Sequence, residues 1–366
     1  MNMLKQIALT KIKGVGAKTA RTLLEHCGSV DNIFEAKKKE LLAIPYIRNA
    51  TVDAILSKNS LAEAERELAF IEKHHIQALW MEDANYPRRL RECEDAPLLL
   101  YYKGSADLNP ERCVSIVGTR NATAYGKRIC EELLSALQDY GVQVVSGLAY
   151  GIDIQAHRLA LRHHIPTIGV LGHGLDRIYP AVHRDAASRM LENGGLLTEY
   201  ASETIPDRNN FPARNRIIAG LADVTVVVEA AKKGGALITA EIANSYNRDV
   251  CAFPGGIDQE YSAGCNYLIK THRAHLIRHA EDLAYLMGWE KSVPVNKEGI
   301  QLPLLTNPLS KDEQQVYHFL SEREQASVDE IARHLDWPLS KLAFLLLGME
   351  MNNIVLSLPG KIYRIL

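Results

Sequence analysis

Residues 113–126 read CVSIVGTRNATAYG, an apolar run of strand length that ends in glycine, threonine and arginine. Short, almost wholly apolar runs suit strands buried on both faces of a parallel sheet. The same design returns at Val142–Val145, Thr167–Leu171, Leu196–Thr198, Val224–Val228, Val250–Phe253 and Ala274–Ile277. Helical patterns fall between these runs, as at Ile129, Leu133, Leu134 and Leu137. Regular strand–helix alternation predicts a doubly wound, mostly parallel α/β sheet. Ile76–Trp80 and Pro97–Tyr102 are expected as added edge strands.

Such sheets bind ligands beyond the C-terminal ends of their strands. The special residues of this chain follow those ends. They are Gly118-Thr119-Arg120 with Tyr125-Gly126, Ser146-Gly147-Leu148-Ala149-Tyr150-Gly151-Ile152-Asp153, and Gly172-His173-Gly174-Leu175-Asp176. Further along come Glu229 with Gly234-Gly235-Ala236-Leu237-Ile238-Thr239, and Pro254-Gly255-Gly256. Small residues let a phosphate or a backbone approach the main chain closely. Five such turns at successive strand ends predict a phosphate- or nucleotide-binding surface. It is not a P-loop. Seven residues separate Gly118 from Gly126, and Arg128 stands where the hydroxyl residue is required. GxGxxG is absent after the first strand, so neither ATP hydrolysis nor a dinucleotide cofactor is expected.

The densest patch is Asn209-Asn210-Phe211-Pro212-Ala213-Arg214-Asn215-Arg216 followed by Ile217-Ile218-Ala219-Gly220. Phe211 offers a face for a base, and Arg214 or Arg216 a partner for phosphate. Arg120 and Arg214 are both expected outside the core, Arg214 in a polar loop. Arg216 is the candidate to brace the glycine turns instead.

The outer blocks differ in pattern. Residues 1–75 read as short helices, 76–288 as the α/β block, 289–308 as a linker with three prolines, and 309–366 as three helices and a hairpin. In the first block, Ile12-Lys13-Gly14-Val15-Gly16-Ala17-Lys18-Thr19-Ala20 resembles a helix-hairpin-helix of the SAM-like kind, whose glycine turn presents backbone N–H groups to phosphate. A second copy around Ile44-Pro45-Tyr46-Ile47 lacks the glycines. Within 8–48, eight Lys/Arg face four Asp/Glu, whereas 308–366 has six against eight. The last block reads as a winged helix with helices Lys311–Leu320, Ser327–Leu335 and Leu339–Asn352, and a wing Ile354–Leu358, Lys361–Ile365. Its would-be recognition helix holds a single base, Lys341, which favours contact with protein over duplex DNA.

Composition narrows the class further. Apolar residues make up 47% and charged residues 23% of 366, which argues against disorder. The formal net charge of −2 makes any DNA surface local. There is no apolar run of membrane length and no secretory leader, so a cytoplasmic location is expected. The six scattered cysteines contain no CxxC pair, and no zinc site or disulfide framework is expected.

The blocks SIVGTRNATAYG, SGLAYGID, TIGVLGHGLDRIYP, FPARNRIIAGL, VVVEAAKKGGALITA and VCAFPGGIDQEYSAGCNYLI, in that order, resemble the DNA-processing family DprA, also called Smf. NYPRRL at 85–90 and PLLLYYKG at 97–104 resemble that family's entry into its Rossmann-like domain. The departures are His183, where an asparagine is common, and Gly235, where a small polar residue is sometimes seen. The resemblance implies a non-enzymatic protein of natural transformation. Such a protein binds and protects single-stranded DNA, loads RecA onto it, and works as a homodimer through the Rossmann-like domain. No metal or cofactor is implied. The DNA-binding residues expected from the strand ends and the family motifs are Gly118, Arg120, Ser146, Gly147, Asn210, Phe211, Arg214, Asn215, Arg216, Gly234, Gly235, Thr239 and Gly255.

One competing reading is enzymatic. GGALITAE distantly resembles the signature of nucleoside-monophosphate phosphoribohydrolases, in which Glu241 or Glu229 would polarise water or ribose. Order and spacing differ from that signature.

Overall fold

The computed structural model describes residues 3–291 and, further on, 310–321, 323, 325–352, 354–358 and 361–365. The expected linker 289–308 falls mostly outside the described residues. The chain forms two compact units, the first ending at Val293 and the second beginning at Pro294.

The first unit is built on nine strands: β1 (Gln77–Trp80), β2 (Leu99–Gly104), β3 (Cys113–Val117), β4 (Gln143–Gly147), β5 (Thr167–Val170), β6 (Gly194–Thr198), β7 (Val224–Val227), β8 (Asp249–Ala252) and β9 (His275–Leu276). Their order in the sheet is β1-β2-β6-β5-β4-β3-β7-β8-β9. β6 through β9 are mutually parallel, while β2 runs antiparallel to both β6 and β1. This is the doubly wound Rossmann-like sheet with an added antiparallel edge.

Alternation along each strand feeds two cores. Val114, Ile116, Val144, Val224 and Val226 pack with the helices Ala124–Leu137 and Ile152–Arg162. Val117, Val145 and Val227 pack on the other side with Asn210–Leu221 and Gly235–Ser245. Even the polar pair in the central strands is satisfied: Ser115 Oγ donates to Thr225 Oγ1 at 2.9 Å.

The N-terminal helices complete the unit. Gly14 takes φ +87°, and Gly16 caps the helix Ala17–Cys27, which ends at Gly28 with φ +78°. That is the glycine turn of a helix-hairpin-helix. Ile7, Leu9, Leu23, Ile33 and Val52 form one core with Trp80, Leu99 and Tyr101 of the sheet edge. Glu67, buried on the helix Asn59–Lys73, reinforces that join. Its carboxylate accepts from Ser202 N at 2.9 and 3.1 Å, from Ser202 Oγ at 2.7 Å and from Lys11 Nζ at 3.3 Å.

The second unit has helices Lys311–Ser321, Val328–Leu335 and Leu339–Met351, with β10 (Ala326–Ser327), β11 (Val355–Leu358) and β12 (Ile362–Ile365) in the order β10-β12-β11. Ser327 and Glu330 form a reciprocal cap at the second helix. Leu342, Leu346 and Met349 of the third helix enter the core, while Phe344 and Leu347 stay exposed. This is a winged helix. Lys341 pairs with Asp312 at 2.8 Å and lies 3.9 Å from the Trp337 ring centroid.

Candidate nucleic-acid interface

An open cleft lies past the ends of β4 and β5. Its walls include Arg120, Tyr150, Gly172, His173, Tyr179, Phe211 and Arg214. Arg120 arrives on the loop after β3. Its Cζ stands 5.7 Å from the centroid of Phe211, and the Tyr179 ring stands 6.1 Å away at a 32° tilt. Phe211 is the second residue of the helix Asn210–Leu221, where Asn210 Nδ2 donates to Gly172 O at 3.1 Å and fixes the helix start to the β5 loop.

The expectation that Arg214 occupies a polar loop is corrected by the structure. Pro212 does not break the helix here. It sits in the first turn, where its missing N–H costs nothing. Arg214 follows on the inner side at 4% exposure, and its Nη1 donates to Val170 O at 2.6 Å. Its charge is balanced from Asp153. An added Cβ on Gly147 would fall 2.1 Å from Arg214 Nη1 and 2.4 Å from Asp153 Oδ2, so the missing side chain is what leaves room for both. Burial pushes the Asp153 carboxyl up, and Arg214 beside it pulls it back. Burial lowers the Arg214 guanidinium in turn.

His157 closes this network. Its Nε2 donates to Gly147 O and its Nδ1 accepts from Thr167 Oγ1, each at 2.7 Å. Burial drops its pKa to about 4, so the ring is neutral at physiological pH.

The remaining candidates divide by placement. Ser146 is fully buried and donates to Ile116 O at 2.6 Å. Gly118 lies against Ile152, where an added Cβ would come within 2.4 Å of Cγ1. Gly255 packs on Ser262 in the same fashion. Thr239 is buried and donates to Gly235 O at 3.0 Å. Gly118, Ser146, Gly147 and Gly255 pack closely where the strands end, while the Thr239 bond stays within its own helix. Arg216 pairs with Glu199 and lies 3.9 Å from Asp95, away from the cleft lining. Gly234 and Gly235 are exposed at the start of their helix, with Asn215 Nδ2 donating to Gly235 O at 3.2 Å and the exposed Lys232 and Lys233 just before.

The two glutamates of the enzymatic reading stand elsewhere. Both Glu229 oxygens accept from Thr123, at 3.0 Å from N and 2.5 Å from Oγ1. Glu241 pairs with Arg273 at 2.6 Å on an exposed face. Neither lines the Arg120–Phe211 cleft. Tyr150 and His173 lie in strand-end turns expected to bind but, like Tyr179, were not among the expected DNA-binding residues. Their only signal was position, each within a strand-end loop of the α/β block. Among the described residues no helix is long and apolar enough to cross a membrane, and all six cysteines are free thiols.

The architecture defines a class, a Rossmann-like α/β protein carrying a helix-hairpin-helix block before its sheet and a winged helix after it. Within that class the chain belongs to the DNA recombination-mediator protein A family, DprA or Smf, whose model matches residues 77–288. A SAM-like helix-hairpin-helix tandem matches 7–58, and the family's winged-helix domain matches 301–361.

Relatives include protein Smf of Synechocystis, 37% identical over 82% of this chain and 75% of that protein. Protein Smf of Escherichia coli is 32% identical over 87% and 89%. The crystal structure of DNA processing protein A from Streptococcus pneumoniae superposes with a TM-score of 0.69 at 33% identity, covering 80% of this chain and 99% of that one. DNA processing protein A of Helicobacter pylori, whose structure concerns its single-stranded DNA binding mode, gives 0.53 at 29% identity, covering 59% and 97%.

Proposed function

We propose that this chain is a single-stranded DNA-binding recombination mediator and that the Arg120–Phe211 cleft is where the strand is held. The observation that carries this reading is the guanidinium set beside an aromatic ring at the mouth of a cleft with charged Arg214 behind it. A cation meets phosphate and a ring meets the face of any base, so the combination binds a strand with little regard to sequence. Exposed Lys232 and Lys233 beside the open Gly234–Gly235 turn extend the basic surface. Family membership and the Helicobacter pylori relative support the same assignment.

From the family's character as a recombination mediator, the reading extends to protection of incoming DNA, delivery to RecA during natural transformation, action as a homodimer through the α/β domain, and a cytoplasmic location. Glu229 and Glu241, both already engaged away from the cleft, give no support to a phosphoribohydrolase.

The test is a binding titration with single- and double-stranded oligonucleotides across a salt series. Tighter binding of the single strand, falling steeply with salt, is expected. Equal affinity for the two at moderate salt would count against the proposal.

A further inference from the structure

Phe211 is not the aromatic face that an incoming base meets most freely. It is only partly exposed and already has Arg120 and Tyr179 against its ring. Tyr150 lines the same cleft with 51% of its surface exposed.

Its mounting is unusually firm for an exposed side chain. The ring makes an edge contact with His183, 5.1 Å between centroids at 70°. His183 is itself 2% exposed, and its Nδ1 donates to Leu148 O at 2.9 Å, two residues before Tyr150. On the other side, Gly151 takes φ +78° and lies so close to the backbone of residues 119 and 120 that a Cβ would fall 2.1 Å from Thr119 O and 2.5 Å from Arg120 C. Ile152 N donates to Thr119 O at 3.1 Å. The turn carrying Tyr150 and the loop carrying Arg120 are therefore one rigid mount.

We infer that Tyr150 is a base-stacking residue of this cleft, held by His183 and the Gly151 turn at a fixed spacing from Arg120. The inference rests on the reading of the cleft as a single-stranded DNA site and adds to it. A cation and a flat ring at constrained spacing match a phosphate and a base of one strand, and the ordering cost of the ring is met before binding. His183 acts as a positioning residue, since it is buried and reaches the strand through Tyr150. The two positions work as a pair.

The experiment uses the full chain and oligothymidylate strands, one series carrying a single 2-aminopurine and another a single abasic site. Wild type is expected to bind, to quench the 2-aminopurine at one strand position and to lose affinity when that position is abasic. Tyr150→Ala should bind roughly tenfold more weakly, the usual scale of one lost stack. It should not quench, and it should be indifferent to the abasic site. Tyr150→Phe should behave as wild type. Tyr150→Leu, which refills the space on His183 without a π-face, should fail in the same way as alanine, so loss of folding and loss of stacking are separated.

His183→Ala should weaken the quenching more than the affinity. Wild-type affinity and quenching in Tyr150→Leu, with strand binding intact, would overturn the inference alone. Absence of single-strand binding by wild type would overturn the reading beneath it.

Discussion

Arg214 and Asp153 lie against the same bare α-carbon, that of Gly147, so close that a Cβ there would overlap both Arg214 Nη1 and Asp153 Oδ2. This buried pair sits behind the cleft rather than in its mouth. Arg214→Ala should therefore do more than weaken DNA binding. It removes the buried cation that pulls the Asp153 carboxyl down and the donor to Val170 O, and so should destabilise the fold. Urea unfolding of the variant should show a clearly lowered midpoint. A variant as stable as wild type would mean that Asp153 is neutral in the folded chain.

Arg120 gives the contrasting case. It is exposed on its loop and makes its ring contact only with Phe211. Arg120→Ala should leave the melting temperature within the small range typical of surface changes. It should lower single-strand affinity by roughly tenfold, about 1.4 kcal/mol. Anisotropy on a labelled strand, read beside a thermal melt, checks both halves.

The contrast between these arginines shows where sequence reading stops. The strands of the α/β block and the winged helix followed from apolar period, whereas of the two expected edge strands only β1 lies at the edge, with β2 between it and β6. Arg120 and Phe211 followed as well, because a basic residue at a strand end and an aromatic in a polar patch are visible in one dimension. Arg214 was placed in a polar loop, whereas Pro212 stands in the first turn of a helix that carries Arg214 inward. The depth of an arginine depends on what faces it, here Asp153 from another helix, which no local pattern reveals. Tyr150 was not singled out as a site residue. It lies in a strand-end turn expected to bind, but nothing local shows that the bend at Gly151 turns its ring outward.

His157 supplies a pH dependence. Its folded pKa of about 4 lies below the ordinary 6.5, so between those values the unfolded chain holds the extra proton. Stability should then fall as pH drops from 6.5 toward 4, by roughly 3 kcal/mol over the full window. Asp153, whose carboxyl burial pushes up, works the opposite way as pH rises from the acid end. His157→Gln isolates the first effect. Its melting temperature should be flatter than that of wild type across the window, and an unchanged slope would show that the imidazole is not the titrating group.

Deleting 308–366 should leave single-strand binding largely intact. The only base on the third helix, Lys341, is already held by Asp312 and Trp337, and the segment has more acids than bases. Exposed Phe344 and Leu347 suit a protein surface better than a phosphate backbone. Titration of full-length and shortened protein against the same strand decides it. A loss of tenfold or more, ~1.4 kcal/mol, would place part of the DNA site in the winged helix.

The Glu67 carboxylate, reaching from the helical block to the amide and hydroxyl of Ser202, sets how this protein can be cut and recombined. A graft that exchanged the first 75 residues for those of a relative would have to bring its own acceptor for the amide and hydroxyl of Ser202. Otherwise it would leave polar groups dry at the seam. The natural module boundary is therefore not the point where helices give way to strands. The helical block and the loop beyond β6 travel together or not at all, although more than a hundred residues of chain separate them.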